Sequence, residues 1–231
     1  MRTISSTLME QLDNSATAVI ADIVGSRRIE DRASAQGMIL EAFTTALGYV
    51  QTLERPRETV GDEFQAVFPT RADALVFTAV VPLLLHDGLQ LRFGLGSGLP
   101  RTVTPSGIQD GPAWWAARSA VDEAGKRQRG RFPTTRSWFQ DGLRQGGDAS
   151  SLRDVRLDEA LVNAYLVERD ATIARLGDRE KGWLLELLAG RSQREVAASG
   201  GLSQPAVSQA LGRLGGIQLL EGIKLLRRAT T

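Results

Sequence analysis

Residues 57–68 read RETVGDEFQAVF, and the fold turns on whether this stretch is a hairpin. Arg57–Val60 and Phe64–Phe68 are short strand-like runs, and the Gly61-Asp62 pair between them suits a tight reversal. The hairpin would carry acids at its tip. Upstream, Thr17–Arg27 reads TAVIADIVGSR. Its β-branched, nearly continuous apolar run has the character of a strand buried on both faces, and it ends at Gly25. If that strand pairs with the hairpin, Asp22 and Asp62 meet at one sheet edge.

Between the two strings, Arg32–Leu53 predicts a helix. Ile39, Leu40, Phe43, Ala46, Leu47 and Val50 recur at three- and four-residue intervals, and Pro56 stops the run. Thr70 can cap a second helix over Arg71–Leu85, and LRFGLGSG at 91–98 follows as a strand whose glycines let backbone or ligand come close. The order strand, helix, strand, strand, helix, strand is the split βαβ or ferredoxin-like layout. It predicts an α+β domain in which two helices cover one sheet face and the other face stays available. Polar Arg101–Asp110 reads as an edge strand or loop, and Trp114–Ala124 as a further helix.

Past Phe139 the stretch DGLRQGGDASS has little to bury, which sets a domain boundary there. The organisation expected is a polar leader over 1–16, the α+β domain over 17–140, a linker and connecting helix over 141–177, and a small all-α domain over 178–231. In the connecting helix Leu157, Leu161, Ala164 and Tyr165 recur at helical spacing, which suits a helix that joins the domains or pairs two subunits.

Composition narrows the chemistry. A formal charge of +1 confines any nucleic-acid surface to local clusters, and the absence of cysteine excludes disulfides, thiolate metal sites and thiol nucleophiles. The single histidine, His86, follows the apolar run ALVFTAVVPLLL and is expected to end a buried helix rather than act as a base. The N-terminal segment carries Glu10 and Asp13 and does not resemble a secretory signal; the most apolar segment, Ala74–Leu85, falls short of the roughly 20 residues of a spanning helix. A cytoplasmic protein with no membrane partner is expected.

The acids suggest a hard cation. Mg2+ or Mn2+ takes oxygen ligands and shares them between one or two carboxylates and substrate phosphates, which Asp22 and Asp62 fit, with the Ile23 backbone carbonyl beside them. Glu63 is a third candidate, but adjacent residues of a strand point to opposite faces, which favours Asp62. Backbone amides around Gly25, Ser26 and Arg27 can hold phosphate oxygens, with Arg27 or Arg28 adding charge. The run KRQRGR at 126–131 is assigned no role.

At the other end, SQREVAASGGLSQPAVSQALGRL (192–214) sets a capped short helix, a glycine turn and a second capped helix in succession. Val196, Ala197, Leu202, Val207 and Leu211 make a small shared core. The second helix would present Gln204, Ser208 and Gln209 to base edges of double-stranded DNA. Arg191, Arg194 and Arg213 would serve for phosphates, and Lys224, Arg227 and Arg228 would extend the basic surface.

These motifs carry resemblances. ADIVGSR is similar to the first metal-binding strand of class III nucleotide cyclases, and ETVGDEFQAVF to their second metal-binding hairpin and to the GDEF end of the diguanylate cyclase signature. LRFGLGSG and GPAWWAAR resemble the later cyclase strand and the helix after it. With its C-terminal helix-turn-helix, which is similar to that of bacterial regulators, the whole chain resembles the SatD family. The resemblance implies a cyclase-type palm, divalent metal at Asp22 and Asp62, a nucleotide ligand and a homodimer. Arg118 matches the arginine that stabilises phosphate charge, whereas Trp114 stands where cyclases place a ribose-orienting asparagine. Glu58 falls at the base-selecting position, where a carboxylate suits the guanine N1 and N2 donors. Three functions stay open: a regulator whose palm senses a nucleotide with metal, an active nucleotidyl cyclase, and a palm used only for dimerisation.

Overall fold

The computed structural model describes residues 16–59, 61–86, 88–98, 101–102, 109–142 and 149–230. The polar leader, Val60 and the glycine-rich 143–148 lie outside them. The front half contains strands β1 (Ala16–Ile23), β2 (Glu54–Glu58), β3 (Glu63–Phe68), β4 (Leu91–Gly98) and β7 (Ser137–Asp141), with helices α1 (Arg32–Ala46), α2 (Arg71–Leu84) and α3 (Pro112–Arg129). The short strands β5 (Arg101–Thr102) and β6 (Gln109–Asp110) pair separately, in the stretch expected to be an edge strand or loop. The main sheet has the order β2-β3-β1-β4-β7, antiparallel except for the β4–β7 pair. Its first four strands are in ferredoxin-like order, and the chain is α+β with a mostly helical C-terminal region.

The pleat of β1 sorts its two faces. Val19, Ala21 and Ile23, with Phe64, Phe68, Phe93 and Leu95, pack under α1 and α2, where Phe43 meets Phe64 edge-on at 5.2 Å. Ala16, Ala18, Ile20 and Val67 pack on the opposite face against Ala113, Trp114, Ala117 and Val121 of α3. That face is therefore covered along β1 and β4, not left available. The reason lies in composition: α3 presents alanines to Gly94 and Gly96 of β4, and two surfaces of small residues let the helix backbone reach the strand backbone.

Two sequence expectations shift at helix ends. α1 stops at Ala46, with a short 3-10 turn over Leu47–Tyr49 in place of helix to Leu53. Val50 is already extended, and the Gln51 amide donates to Asp73 at 3.1 Å, which turns the chain out of the helix. His86 lies beyond the end of α2 and is exposed, 3.6 Å from Asp178, so it does not end a buried helix.

The back half runs α4 (Ala149–Arg175), α5 (Asp178–Leu188), α6 (Gln193–Ser199), α7 (Gln204–Leu214) and α8 (Gly216–Arg228). α4 packs by its polar side chains. Leu157 and Leu161 are 60% and 62% exposed, while Glu159, Asn163, Arg169 and Asp170 are buried with Leu166. The buried polar groups face the free edge of β7, whose backbone they satisfy. Asn163 accepts from the Phe139 amide and donates to its carbonyl, both at 2.9 Å; Glu159 accepts from the Asp141 amide; Asp170 accepts from the amides of Arg136 and Ser137. A helix thus closes a sheet edge that would otherwise expose a row of unpaired amides.

α5 and α8 pack on α2, and one apolar core runs from the sheet through Leu184, Val207, Leu211 and Ile223. Ser192 and Glu195 form a reciprocal capping box at α6, and Ser203 caps α7. Leu202 does not join the small core expected for it. It is 37% exposed, because its amide closes α6 onto the Ala197 carbonyl and leaves the side chain outward.

Candidate functional site

The β1–β3 register places Asp22 directly opposite Glu63, and the β1–β4 register places it opposite Arg92. Cross-strand partners share a face, so a row Glu63–Asp22–Arg92 lies on the α3 side of the sheet. α3 contributes one side chain to each end of that row. Arg118 ion-pairs with Glu63, one contact being 2.6 Å, and Gln128 accepts from Arg92 at 2.8 Å. Arg92 in turn donates to Asp22 Oδ2 at 2.7 Å. The other oxygen, Oδ1, is buried and has no hydrogen-bond partner.

Burial raises the Asp22 pKa above its ordinary value; Arg92 pulls it down, and Asp62 and Glu63 push it up again. Asp22 is thus a carboxylate whose charge is incompletely compensated and whose free oxygen has no donor. A divalent cation would satisfy both conditions. Asp62 lies at the hairpin tip and lines a cavity of about 80 Å3 together with Ile23, Ser26, Ile29, Arg32 and Gly61. That volume suits an ion with a phosphate group, not a whole nucleotide. Ser26 and Asp62 therefore share one recess beside the end of β1, where Gly25 takes a left-handed conformation (φ 72°) to start the following turn. Among the described residues no three acidic or histidine side chains converge as a ready cation cage. Any cation here would complete its shell with the Ile23 carbonyl, water or ligand oxygen.

Other expected residues fall differently. Glu63, less favoured than Asp62 on pleat grounds, is the acid that shares the face of Asp22, because β3 begins at Glu63 and Asp62 precedes it. Arg27 and Arg28 are exposed. Glu58 is exposed on the edge strand and pairs with Phe64, so it lies on the face opposite Asp22. The guanine preference attached to it gains no support from that placement. Trp114 is buried against β1, and Trp115 is 56% exposed with Nε1 donating to Asp110 at 2.6 Å. Arg92, Gln128 and Arg32 were missed. Strand alternation from Asp22 and Glu63 would have found Arg92 only once the register was known.

In the C-terminal helices, Arg194, Gln204, Gln209 and Arg213 are exposed and Ser208 is half-buried. Gln204 donates to Gln193 at 2.7 Å. Arg191 is drawn off the expected phosphate surface by Glu186 and the Glu195 carbonyl, and Arg227 by the Tyr49 ring 5.4 Å away. Arg127, within KRQRGR, stacks on Trp138 at 3.7 Å and pairs with Glu123.

A pH-dependent stability follows from Asp22. Its raised pKa means that the folded chain holds this proton more tightly than the unfolded chain. The contribution of the group to stability is therefore full below the ordinary carboxylate range and is lost as pH rises through the folded value. A cation, were one to bind at Oδ1, would oppose that loss. Mn2+ at a hundredfold excess over its Kd is expected to stabilise the protein by ~2.7 kcal/mol. The gain should grow with pH across the Asp22 titration and be absent in Asp22→Asn, as read by thermal unfolding in a pH series.

The SatD family model matches residues 16–131. Two solved structures of adenylate cyclases from Trypanosoma brucei in their monomeric state are similar in part. The first is 16% identical, with 46% of this chain and 68% of that chain covered and a TM-score of 0.37; for the second the values are 15%, 42%, 62% and 0.34. This chain thus spans about two thirds of those structures, and the likeness says nothing about activity. No curated protein matches. Among the described residues no helix is long and apolar enough to cross a membrane.

Proposed function

We propose that this chain, a member of the SatD family, is a DNA-binding regulator whose palm holds a nucleoside triphosphate through Mg2+ or Mn2+ at Asp22 and Asp62. The observation that carries the reading is the orphaned Oδ1 of Asp22, a carboxylate on whose charge Asp62 acts, while Asp62 itself lines a recess with Ser26 beyond the end of β1. A cation there would neutralise the acids and present its remaining positions to phosphate oxygens. Ser26, Arg32 and the amides after Gly25 flank the phosphate path, with Arg27 at its exposed rim.

Two features favour sensing over turnover. Trp114 fills core volume and offers no amide to a ribose, and Arg118 is already committed to Glu63. Coupling to DNA has a physical route. α2 packs behind β1, which bears Asp22, and β3, which Asp62 precedes, and α5 and α8 pack on α2, so a shift of the hairpin bears on the support of α7. A ligand moves this equilibrium only as far as its affinities for the two arrangements differ. Gln204, Gln209 and Arg213 on α7, with Arg194 on α6, then read and hold the duplex; Ser208 lies at the margin.

A second reading, nucleotidyl cyclase, is favoured by the presence of Asp22, Asp62 and Arg118 at one end of the sheet. Product analysis after incubation with ATP or GTP and Mg2+ or Mn2+ separates the two. The sensor reading predicts no cyclic product. Conversion that disappears in Asp22→Ala and Asp62→Ala overturns it. In a gel shift on the DNA upstream of the protein's own gene, Gln209→Ala and Arg213→Ala are each expected to weaken binding about tenfold. Unchanged retardation by both variants contradicts the assignment of α7.

A further inference from the structure

We propose that the chain forms a two-fold homodimer by antiparallel packing of α4 against the α4 of a second copy, with the leucine ridge of each helix seated in a groove of the other. The proposal rests on the surface of α4 and is independent of the nucleotide reading. Because α4 turns its polar side chains onto β7, its apolar side chains Leu157 and Leu161 stand out in solvent. Beside this ridge runs a groove of about 640 Å3 between α4 and β7, lined by Trp138, Phe139, Ala160, Ala164, Val167 and Glu168. Ala160 and Ala164 each lie three residues past a ridge leucine, so ridge and groove are neighbouring strips of one helix.

A surface carrying a ridge and a matching groove side by side is self-complementary under a two-fold axis, which seats each ridge in the opposite groove. Charge selects the direction. Arg153 and Glu168 are exposed at the two ends of the strip, about 22 Å apart along the helix. Antiparallel pairing centred between Ala160 and Leu161 brings Arg153 against the partner's Glu168 at both ends. It also sets Leu157 over the partner's Ala164, and Leu161 over the partner's Ala160. Parallel pairing would stack like charges at both ends. A single helix contact falls short of the roughly 1,600 Å2 of a standard interface, and the groove wall at Trp138, held under the Arg127 guanidinium, supplies further area. The interface lies outside β7, whereas Asp22 and Asp62 lie across the sheet on β1 and before β3. Each copy therefore keeps its own candidate site, and the pair carries two copies of α7.

Sedimentation equilibrium of the full chain, without nucleotide or DNA, tests the proposal. The wild type is expected to be a dimer, and Leu161→Glu to weaken it by ~30-fold or more with the unfolding temperature of the monomer retained, since Leu161 is exposed. Arg153→Glu and Glu168→Arg are each expected to weaken the dimer, and the two together to restore it. A wild-type monomer, or a dimer indifferent to Leu161→Glu, overturns the interface. So does a chain that dimerises only once residues 1–15 are removed, which would mean that the leader covers the groove. A double charge exchange that fails to restore association overturns the antiparallel arrangement. None of these results bears on nucleotide binding, which is measured separately.

Discussion

Gly96→Ala is expected to destabilise the protein by at least ~3 kcal/mol, and Gly94→Ala by as much. A Cβ on Gly96 would sit 2.2 Å from the Ala113 carbonyl oxygen and 2.3 Å from the Ala117 nitrogen; on Gly94 it would sit 2.1 Å from the Ala117 oxygen and 2.4 Å from the Val121 nitrogen. All four obstacles are backbone, so no rotamer change relieves them and α3 must move as a body. Overpacking in cores typically costs ~1–3 kcal/mol even where side chains can adjust. Here the displaced helix also gives up Ala113, Trp114, Ala117 and Val121 against β1. It carries Arg118 and Gln128 away from Glu63 and Arg92, so cation binding at Asp22 should weaken with stability. Urea unfolding measures the first effect. Gly37→Ala is the control: a Cβ there meets nothing within 4 Å, the residue is exposed within α1, and the change should stabilise by up to ~1 kcal/mol. Equal effects at Gly37 and Gly96 would refute the close approach of α3.

Asp170→Ala is expected to cost ~3–5 kcal/mol, because it strands a buried arginine. Arg169 is 3% exposed and donates to Asp170 Oδ1 at 2.9 and 3.1 Å, to Ser137 Oγ, to Thr78 Oγ1 and to the Leu75 carbonyl. Asp170 supplies the only carboxylate in that set and also accepts from two amides of the β7 edge at 2.7 Å. Removing it leaves an unpaired charge and two edge amides without acceptors. The double change Arg169→Met with Asp170→Asn removes both charges and keeps an acceptor for the edge, so it should lose less than Asp170→Ala alone. A larger loss in the double variant, seen by the same unfolding measurement, would mean that the pair stabilises through its charge and not merely through mutual compensation.

Much of the front half was legible because its signals were local. The apolar run of β1, the Gly61-Asp62 reversal, the Thr70 cap and the glycines of β4 each act within a few residues, and together they fix the strand–helix order. What failed was non-local. Helical spacing in α4 was visible, but spacing alone does not say what each face meets, and nothing local reveals that a strand edge elsewhere needs Glu159, Asn163 and Asp170. β7 itself, five residues of SWFQD after a basic loop, is too short to stand out and forms because β4 offers a parallel partner. At the candidate site the sequence named residues but not their neighbours. Asp22 and Asp62 follow from the two motifs, whereas the partnership of Asp22 with Arg92, and of Glu63 with Arg118, depends on register and on the path of α3.

Calorimetric titration of ATP and GTP, with and without Mg2+, bears most directly on the palm as a metal-dependent nucleotide site. The account predicts that at least one triphosphate binds only when the cation is present, and that Asp22→Asn and Asp62→Asn each abolish the heat. Binding that is indifferent to the cation and to both substitutions, or no binding of either triphosphate with Mg2+ present, would contradict it.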